Sequence, residues 1–237
     1  MGRATLRQTE SNELSPLAKE IVARVAKASD ANTAAIRSIR REFSKRIADR
    51  APGQVMSLAL ELLANPIPPF FAYELVQHHR ATFKSLDSKS LENLGRGIDS
   101  WWNVDAFASY LSGPAWREHQ VSDELIRGWA RSQNRWWRRA ALVSTVPLNN
   151  KARGGKGDAL RTLMIGELLL EDRDDMVVKA LSWALRELSK RDKQAVVRFL
   201  DKHEHALPPL VIREVRNKLN TGLKNPRRIG LRKNVTK

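Results

Sequence analysis

Three short segments place carboxylate, guanidinium and indole groups at helical spacing. In SWWNVDAF, Ser100–Phe107, Trp101 and Asp105 stand four residues apart, at the edge of an apolar stripe of Val104, Phe107, Ala108 and Leu111. A carboxylate there is half buried beside an indole, and its place in the first turns of a helix favours the ionised form. Its simplest partner is an arginine of the next hairpin. In NRWWRRAAL, Asn134–Leu142, Arg139 aligns with Leu142, Val143 and Val146, with Trp136 three residues before it. An arginine on an apolar side must find an anion, either Asp105 or a phosphate, because an unpaired buried charge is costly. In VVKALSWALRELSK, Val177–Lys190, the stripe Val177, Val178, Leu181, Leu185 and Leu188 puts Trp183 on the opposite side, between Lys179 and Arg186. An indole between two cations on a solvent-directed face suits a nucleic-acid surface.

The elements that must hold these groups are helices. Apolar residues recur at spacings of three and four with no bounded alternating run, which predicts an all-α chain. Ser15 and Pro16 read as an N-cap and first-turn proline opening a helix through about Ala28. Further helices are predicted over 32–50, 55–64, 70–83, 100–111, 123–132, 135–146, 158–171, 175–189, 193–203 and 209–219. Pro, Gly or Asn break the pattern at Asn65–Pro69, Leu94–Gly97 and Asn149–Gly157. Paired in order, the helices form about six hairpins of roughly 30 to 37 residues, close to the HEAT period. That predicts a curved α-solenoid, with a compact helical bundle as the alternative. The expected organisation is a disordered segment over 1–14, one repeat domain over 15–222 and a basic tail over 223–237. The Gly- and Lys-rich loop at Asn149–Gly157 is expected to be mobile and to face phosphates.

Composition narrows the partners. The 237 residues carry 42 Lys and Arg against 26 Asp and Glu, a formal charge of +16, and no cysteine. Thiol nucleophiles, zinc knuckles, Fe–S clusters and disulfide frameworks are thereby excluded. The start of the chain lacks the apolar core of a signal peptide, and no stretch reaches the roughly 20 apolar residues of a membrane span, so a soluble intracellular protein is expected. The excess of cations makes a polyanion the leading partner, since neutralised phosphates release counterions. Arg131–Lys156 holds seven basic residues and no acid, and all seven tryptophans (101, 102, 116, 129, 136, 137 and 183) fall in mid-chain. Trp116 and Trp129 are expected in the core. His78, His79, His203 and His205 do not suggest a metal site, and no phosphate-binding P-loop or dinucleotide motif occurs.

In these three segments, in this order, the chain resembles the AlkD-type DNA glycosylases, the HEAT-like-repeat alkylpurine family, over about residues 30–225. The family carries a tryptophan four residues before a catalytic aspartate, an arginine just before an Ala-Ala pair, and a second tryptophan in a K-x-x-x-W-x-L-R-E pattern. These match Trp101 and Asp105, Arg139, and Trp183. The resemblance implies removal of N3- and N7-alkylated purines from duplex DNA by hydrolysis of the N-glycosidic bond, without metal or cofactor and without a pocket for the damaged base. Three positions differ. Trp102 stands where the family often has an acid, the family's N-terminal tyrosine has no counterpart, and Arg37 falls at a position where the family carries glutamine.

Alkylation puts positive charge on the purine, so the base is already a good leaving group. A fixed carboxylate then has one task, to stabilise the oxocarbenium-like sugar and orient a water, which is the role implied for Asp105. Trp101 and Trp183 are expected to hold the deoxyribose through their indole faces, and Arg139 to grip a flanking phosphate. Further DNA contacts are expected from Arg37, Arg135, Trp136, Arg138, Lys151, Arg153, Lys156, Lys179 and Arg186. The protein is expected to act as a monomer without an obligate protein partner, associated with the nucleoid if bacterial. Rival readings are a non-catalytic DNA- or RNA-binding helical scaffold and a protein-binding α-solenoid adaptor.

Overall fold

The computed structural model describes residues 15–28 and 33–226. The expectations for residues 1–14, for Asn32 and for most of the basic tail lie outside these residues. Among the described residues there is no strand. Helices run in the order α1 (Pro16–Lys27), α2 (Thr33–Arg46), α3 (Pro52–Leu63), α4 (Phe70–His78), α5 (Arg80–Lys84), α6 (Ser88–Leu94), α7 (Trp101–Phe107) and α8 (Gly113–Arg117). They continue as α9 (Asp123–Ala130), α10 (Arg135–Ser144), α11 (Val146–Asn149), α12 (Ala159–Leu168), α13 (Asp175–Leu188), α14 (Lys193–Lys202) and α15 (Pro209–Thr221). The chain divides between Thr82 and Phe83 into two compact units. No Gly- or Pro-rich linker marks that division in the sequence.

In the first unit α3 packs on α1 and α4, and α2 on α1 and α4. Ile21, Val25, Phe43, Leu62, Phe71 and Tyr73 fill its core. Ser15 caps α1 as its Oγ accepts the Ala18 N–H at 3.3 Å, with Pro16 in the first turn. The single helix expected over 70–83 is interrupted at His79. Its buried ring bonds Thr82 Oγ1 at 2.7 Å and the Ala48 carbonyl at 3.2 Å, contacts that hold the backbone extended at that residue.

The second unit contains the candidate site. Helices α7, α10, α13 and α15 pack one on the next, backed by α9 and α12, which also touch each other. Side-chain caps open them as the sequence pattern requires: Ser100 for α7, Asn134 for α10, Asp158 for α12 and Asp174 for α13. Three short helices, α6, α8 and α11, were not predicted. The first opens with a reciprocal Asp87–Ser90 box. The glycine at 95, expected only as a helix breaker, has a second function, because a Cβ there would sit 2.6 Å from the Trp137 ring.

The helix predicted over 100–111 ends as α-helix at Phe107 and continues as a π-turn, Ala108–Ser112, into α8. Such π-turns re-aim the residues around them. This one is locked to α10, since Ser112 Oγ lies 2.6 Å from Ser144 Oγ, and Ser144 Oγ donates to the Ala140 carbonyl at 2.7 Å. A Cβ on Gly113 would approach both the Ser144 carbonyl oxygen and Pro147 Cγ to 2.7 Å. Backbone and ring atoms cannot swing away as a flexible side chain can. Gly113→Ala should therefore lose about 1–2 kcal/mol, the overpacking cost exceeding the helix-propensity gain of about 1 kcal/mol. Urea unfolding checks this, and a stabilised variant would show that α7 and α10 are not held in close register at this point.

Candidate active site

Ser100 sets the start of α7, its Oγ accepting the Asn103 N–H at 3.4 Å. Trp101 and Trp102 thus fall in the first turn, each 50% exposed. One turn later Val104 and Phe107 point into the core and Asp105 lies between core and solvent. The sequence left two anions open for Arg139, and the partner is Asp105. Arg139 Nε donates to Oδ1 at 2.9 Å and Nη2 to Oδ2 at 2.8 Å, a bidentate fork. Its Nη1 donates to the Met176 carbonyl on α13. One guanidinium therefore ties α7, α10 and α13 together.

Burial of the pair is uneven, with 7% of the Arg139 side chain exposed against 19% for Asp105. The arginine is sunk between helices while the carboxylate reaches the surface. Three of the five Arg139 N–H donors are used inside the protein, so the arginine is held by Asp105 and Met176. Burial raises the Asp105 carboxyl above the ordinary aspartate value, and the Arg139 hydrogen bonds and charge pull against that rise.

Trp183 is half buried on α13. That helix is more enclosed than its stripe predicts, with Ala180, Ser182, Ala184 and Glu187 also buried. Trp183 shares a partly open strip with Met176, Lys179 and Arg186. The Met176 carbonyl that accepts from Arg139 lies about 10 Å back along the axis of the same helix. Trp116 and Trp129 are core residues as expected, their Nε1 atoms donating to Asp123 at 2.8 Å and Glu92 at 3.3 Å. Trp137, half buried, packs 4.8 Å from Trp129 and 6.0 Å from Phe107 by ring centroids.

The expected DNA-contacting cations separate into two groups. Arg135 stacks on the half-buried Trp136 ring at 4.6 Å and pairs with Asp174 at 3.4 Å with about half of its side chain exposed, and Lys151, Lys156 and Lys179 are exposed, the last paired with Asp175. The others are committed to the fold. Arg138 donates to Asp172 at 2.6 Å and to the Ser132 and Gln133 carbonyls, and Arg153 reaches the Ser109 carbonyl while lying over Tyr110. Arg186 donates to Ser182 Oγ and lies 3.9 Å from buried Glu214. In the first unit Arg37 donates to buried Glu74 at 2.8 Å and lies over Phe70. These four side chains answer to partners that single-chain spacing does not reveal.

The Gly- and Lys-rich loop also departs from expectation. The N–H groups of Gly154, Gly155 and Gly157 donate to the carbonyls of Lys151, Asn150 and Leu148, so they do not form a phosphate cradle. Arg191 pins the loop by donating to the Asn149 and Gly155 carbonyls at 2.8 and 3.0 Å. Among the described residues no group of three or more acids or histidines could hold a metal ion. Nor is any described helix long and apolar enough to cross a membrane.

A carboxylate–guanidinium pair, buried on its basic side and partly open on its acidic side, thus stands one helical turn after exposed indoles in a strongly basic chain whose described residues are helical and without strands. The chain belongs to the DNA alkylation repair enzyme family, whose model matches residues 3–219. No curated protein matches it.

Removing only the carboxylate strands Arg139 in the interior. Asp105→Ala should cost about 3 kcal/mol in urea unfolding, while adding Arg139→Met should recover much of that loss. Additive losses in the double variant would mean that the pair is not a coupled unit.

Proposed function

We propose that the protein is a monofunctional DNA glycosylase that hydrolyses the N-glycosidic bond of cationic N3- or N7-alkylated purines in duplex DNA. The family supports a role in repairing alkylated DNA. The observation that carries the chemistry is the bidentate Asp105–Arg139 pair one helical turn after exposed Trp101. A carboxylate offers about four lone-pair directions, of which Arg139 takes two. The outer pair is left for the sugar cation and a water.

In this reading the alkylated base departs with the bonding electrons and its positive charge is neutralised. Positive charge moves onto the deoxyribose as the bond breaks, and Asp105 stabilises it electrostatically at that stage more than in the ground state. The carboxylate orients a water for attack on C1′ and accepts its proton. Arg139 touches neither water nor sugar; it fixes the rotamer of Asp105 and keeps the carboxylate ionised. Trp101 and Trp183 hold the deoxyribose by their faces, and Arg135, Lys151, Lys156 and Lys179 contact the backbone. The row of α7, α10, α13 and α15 supports a solenoid of HEAT-like hairpins as the scaffold in this unit. The protein is proposed to act as an intracellular monomer, nucleoid-associated if bacterial.

Release of free 7-methylguanine or 3-methyladenine from methylated duplex tests the reading. Asp105→Asn should lower excision by roughly 10² or more with duplex affinity nearly unchanged, as for the loss of one electrostatic stabiliser. Binding without release by the unaltered protein would instead support a non-catalytic scaffold. The pH dependence has a definite sign. Excision needs ionised Asp105, whose carboxyl is raised by burial, so the rate should fall on acidification with a midpoint above the ordinary aspartate value of about 3.9. Single-turnover rates across the acid range measure it, and a midpoint at or below that value would count against Asp105.

A further inference from the structure

Helix α12 is apolar on two sides. Thr162, Ile165 and Gly166 are buried toward the core, yet on the outer side Leu160 is 81% exposed and Leu163 and Met164 are half buried. A surface helix normally gathers its apolar residues into one stripe, and a second apolar face needs something to cover it. The outer residues of α12 line a concavity of about 630 Å³ to which α9 and α14 contribute, the latter with the Phe199 ring. A Cβ on Gly166 would meet Phe199 at 3.2 Å and Leu181 at 3.5 Å. Leu181 stands about 200° around α13 from Trp183, so α12 packs on the other side of that helix from Trp183 and the concavity opens on the outer face of α12.

The charges around this concavity are unequally matched. Glu167 accepts from Lys202 at 2.9 Å and lies 3.3 Å from His203 Nε2. Asp192 caps α14 by accepting the Ala195 N–H, and Asp123, in the first turn of α9, accepts from Trp116 Nε1, so both answer the positive end of a helix. The two arginines have no such match. Arg127 directs Nε and Nη2 at the Met164 sulfur, a weak acceptor, although Asp123 lies one turn before it. Among the described residues Arg198 has no ion pair. We propose that this concavity docks an acidic amphipathic helix of a protein partner, its apolar side chains lying between Leu160 and Phe199 and its carboxylates meeting Arg127 and Arg198. From Leu160 to Glu167 the floor rises about 10 Å along α12, which suits two turns of a docked helix with anchors at i, i+3 or i+4, and i+7. A carboxylate gives Arg127 the charge-assisted bond that a thioether cannot. A second copy of this chain brings its own charge of +16 and fits less well. No residue of this lining belongs to the proposed glycosylase site, so a partner can be held while duplex is bound, whether or not that duplex is cut.

The full chain is screened, with saturating unmodified duplex present to occupy its basic surface, against short helical peptides bearing Leu at i, i+3 or i+4, and i+7 and Glu, Gln or Lys at each flanking position. Peptides with Glu should bind with Kd below about 100 μM, and their Gln counterparts roughly 10-fold or more weakly. Leu160→Ser, at a position too exposed to support the fold, should weaken the Glu peptides roughly 10-fold. Arg127→Gln and Arg198→Gln should each weaken them roughly 3- to 10-fold, with duplex affinity unchanged. A photoactivatable leucine at the central anchor should crosslink the unaltered protein to α12 or α14, a readout that needs no variant. The proposal is overturned if no Glu peptide binds, if Gln or Lys peptides bind equally well, or if the crosslinks fall elsewhere. Self-association in sedimentation that Leu160→Ser abolishes would give the concavity to a second copy and overturn it equally. Excision of methylated bases should be the same with and without peptide, so failure of docking and failure of the glycosylase reading are seen separately.

Discussion

The Asp105–Arg139 pair is the constraint on which the site is built. Arg139 is drawn inward by two acceptors on different helices, the Asp105 carboxylate on α7 and the Met176 carbonyl on α13. A guanidinium loses less hydration free energy on burial than an ammonium and satisfies planar acceptors with a rigid fork, so arginine suits this place and lysine does not. A few residues on, the Ser112–Ser144 contact holds the π-turn that follows α7 against α10. The carboxylate cannot rotate without breaking two charge-assisted hydrogen bonds.

This arrangement sets function against stability. A carboxyl raised above its ordinary value is one the fold binds more tightly when protonated. Its contribution to stability is present below the unfolded value and is lost as pH rises through the raised folded value. The ionised form that the proposed chemistry needs is thus the form the fold favours less. Arg139 limits that cost, and the partial exposure of Asp105 limits it further by leaving the outer lone pairs to water. A fully buried carboxylate would be dearer and unreachable, and a fully exposed one would be screened and free to rotate.

Much of the architecture was legible because it depends on local pattern. The cap at Ser15, the 3.6-residue stripes and the breaks at Pro and Gly are read over a few residues, and they gave most of the helices, though not the end of α2 at Arg46 or the interruption at His79. The π-turn was not legible, because the residue that ties it to α10, Ser144, lies 32 positions from Ser112. The short α6, α8 and α11 are too brief to show a period. At the site, the pattern marked Asp105 and Arg139 and named each among the other's possible partners, whereas Met176 contributes a backbone carbonyl that any residue would supply. Arginines were the hardest to assign. Arg138, Arg153, Arg186 and Arg37 look like free cations in one dimension, and their partners, Asp172, the Ser109 carbonyl, Glu214 and Glu74, are 34, 44, 28 and 37 positions away.

That sorting changes how the net charge should be understood. Cations bound to buried acids and carbonyls brace the helices and steer DNA only through their distant field, which salt screens within about 10 Å. The exposed ones, Lys151, Lys156, Lys179 and Arg135, can close on phosphates directly. Affinity for a polyanion therefore depends on fewer residues than the charge of +16 suggests, and those residues carry no information about damage. In the proposed glycosylase reading, discrimination comes from groups that respond to a cationic sugar. The exposed indole of Trp101 and the outward edge of Asp105 fit that part, and both are set by the first two turns of α7. That helix is anchored through Arg139, so in the same reading the arginine acts by holding α7 still.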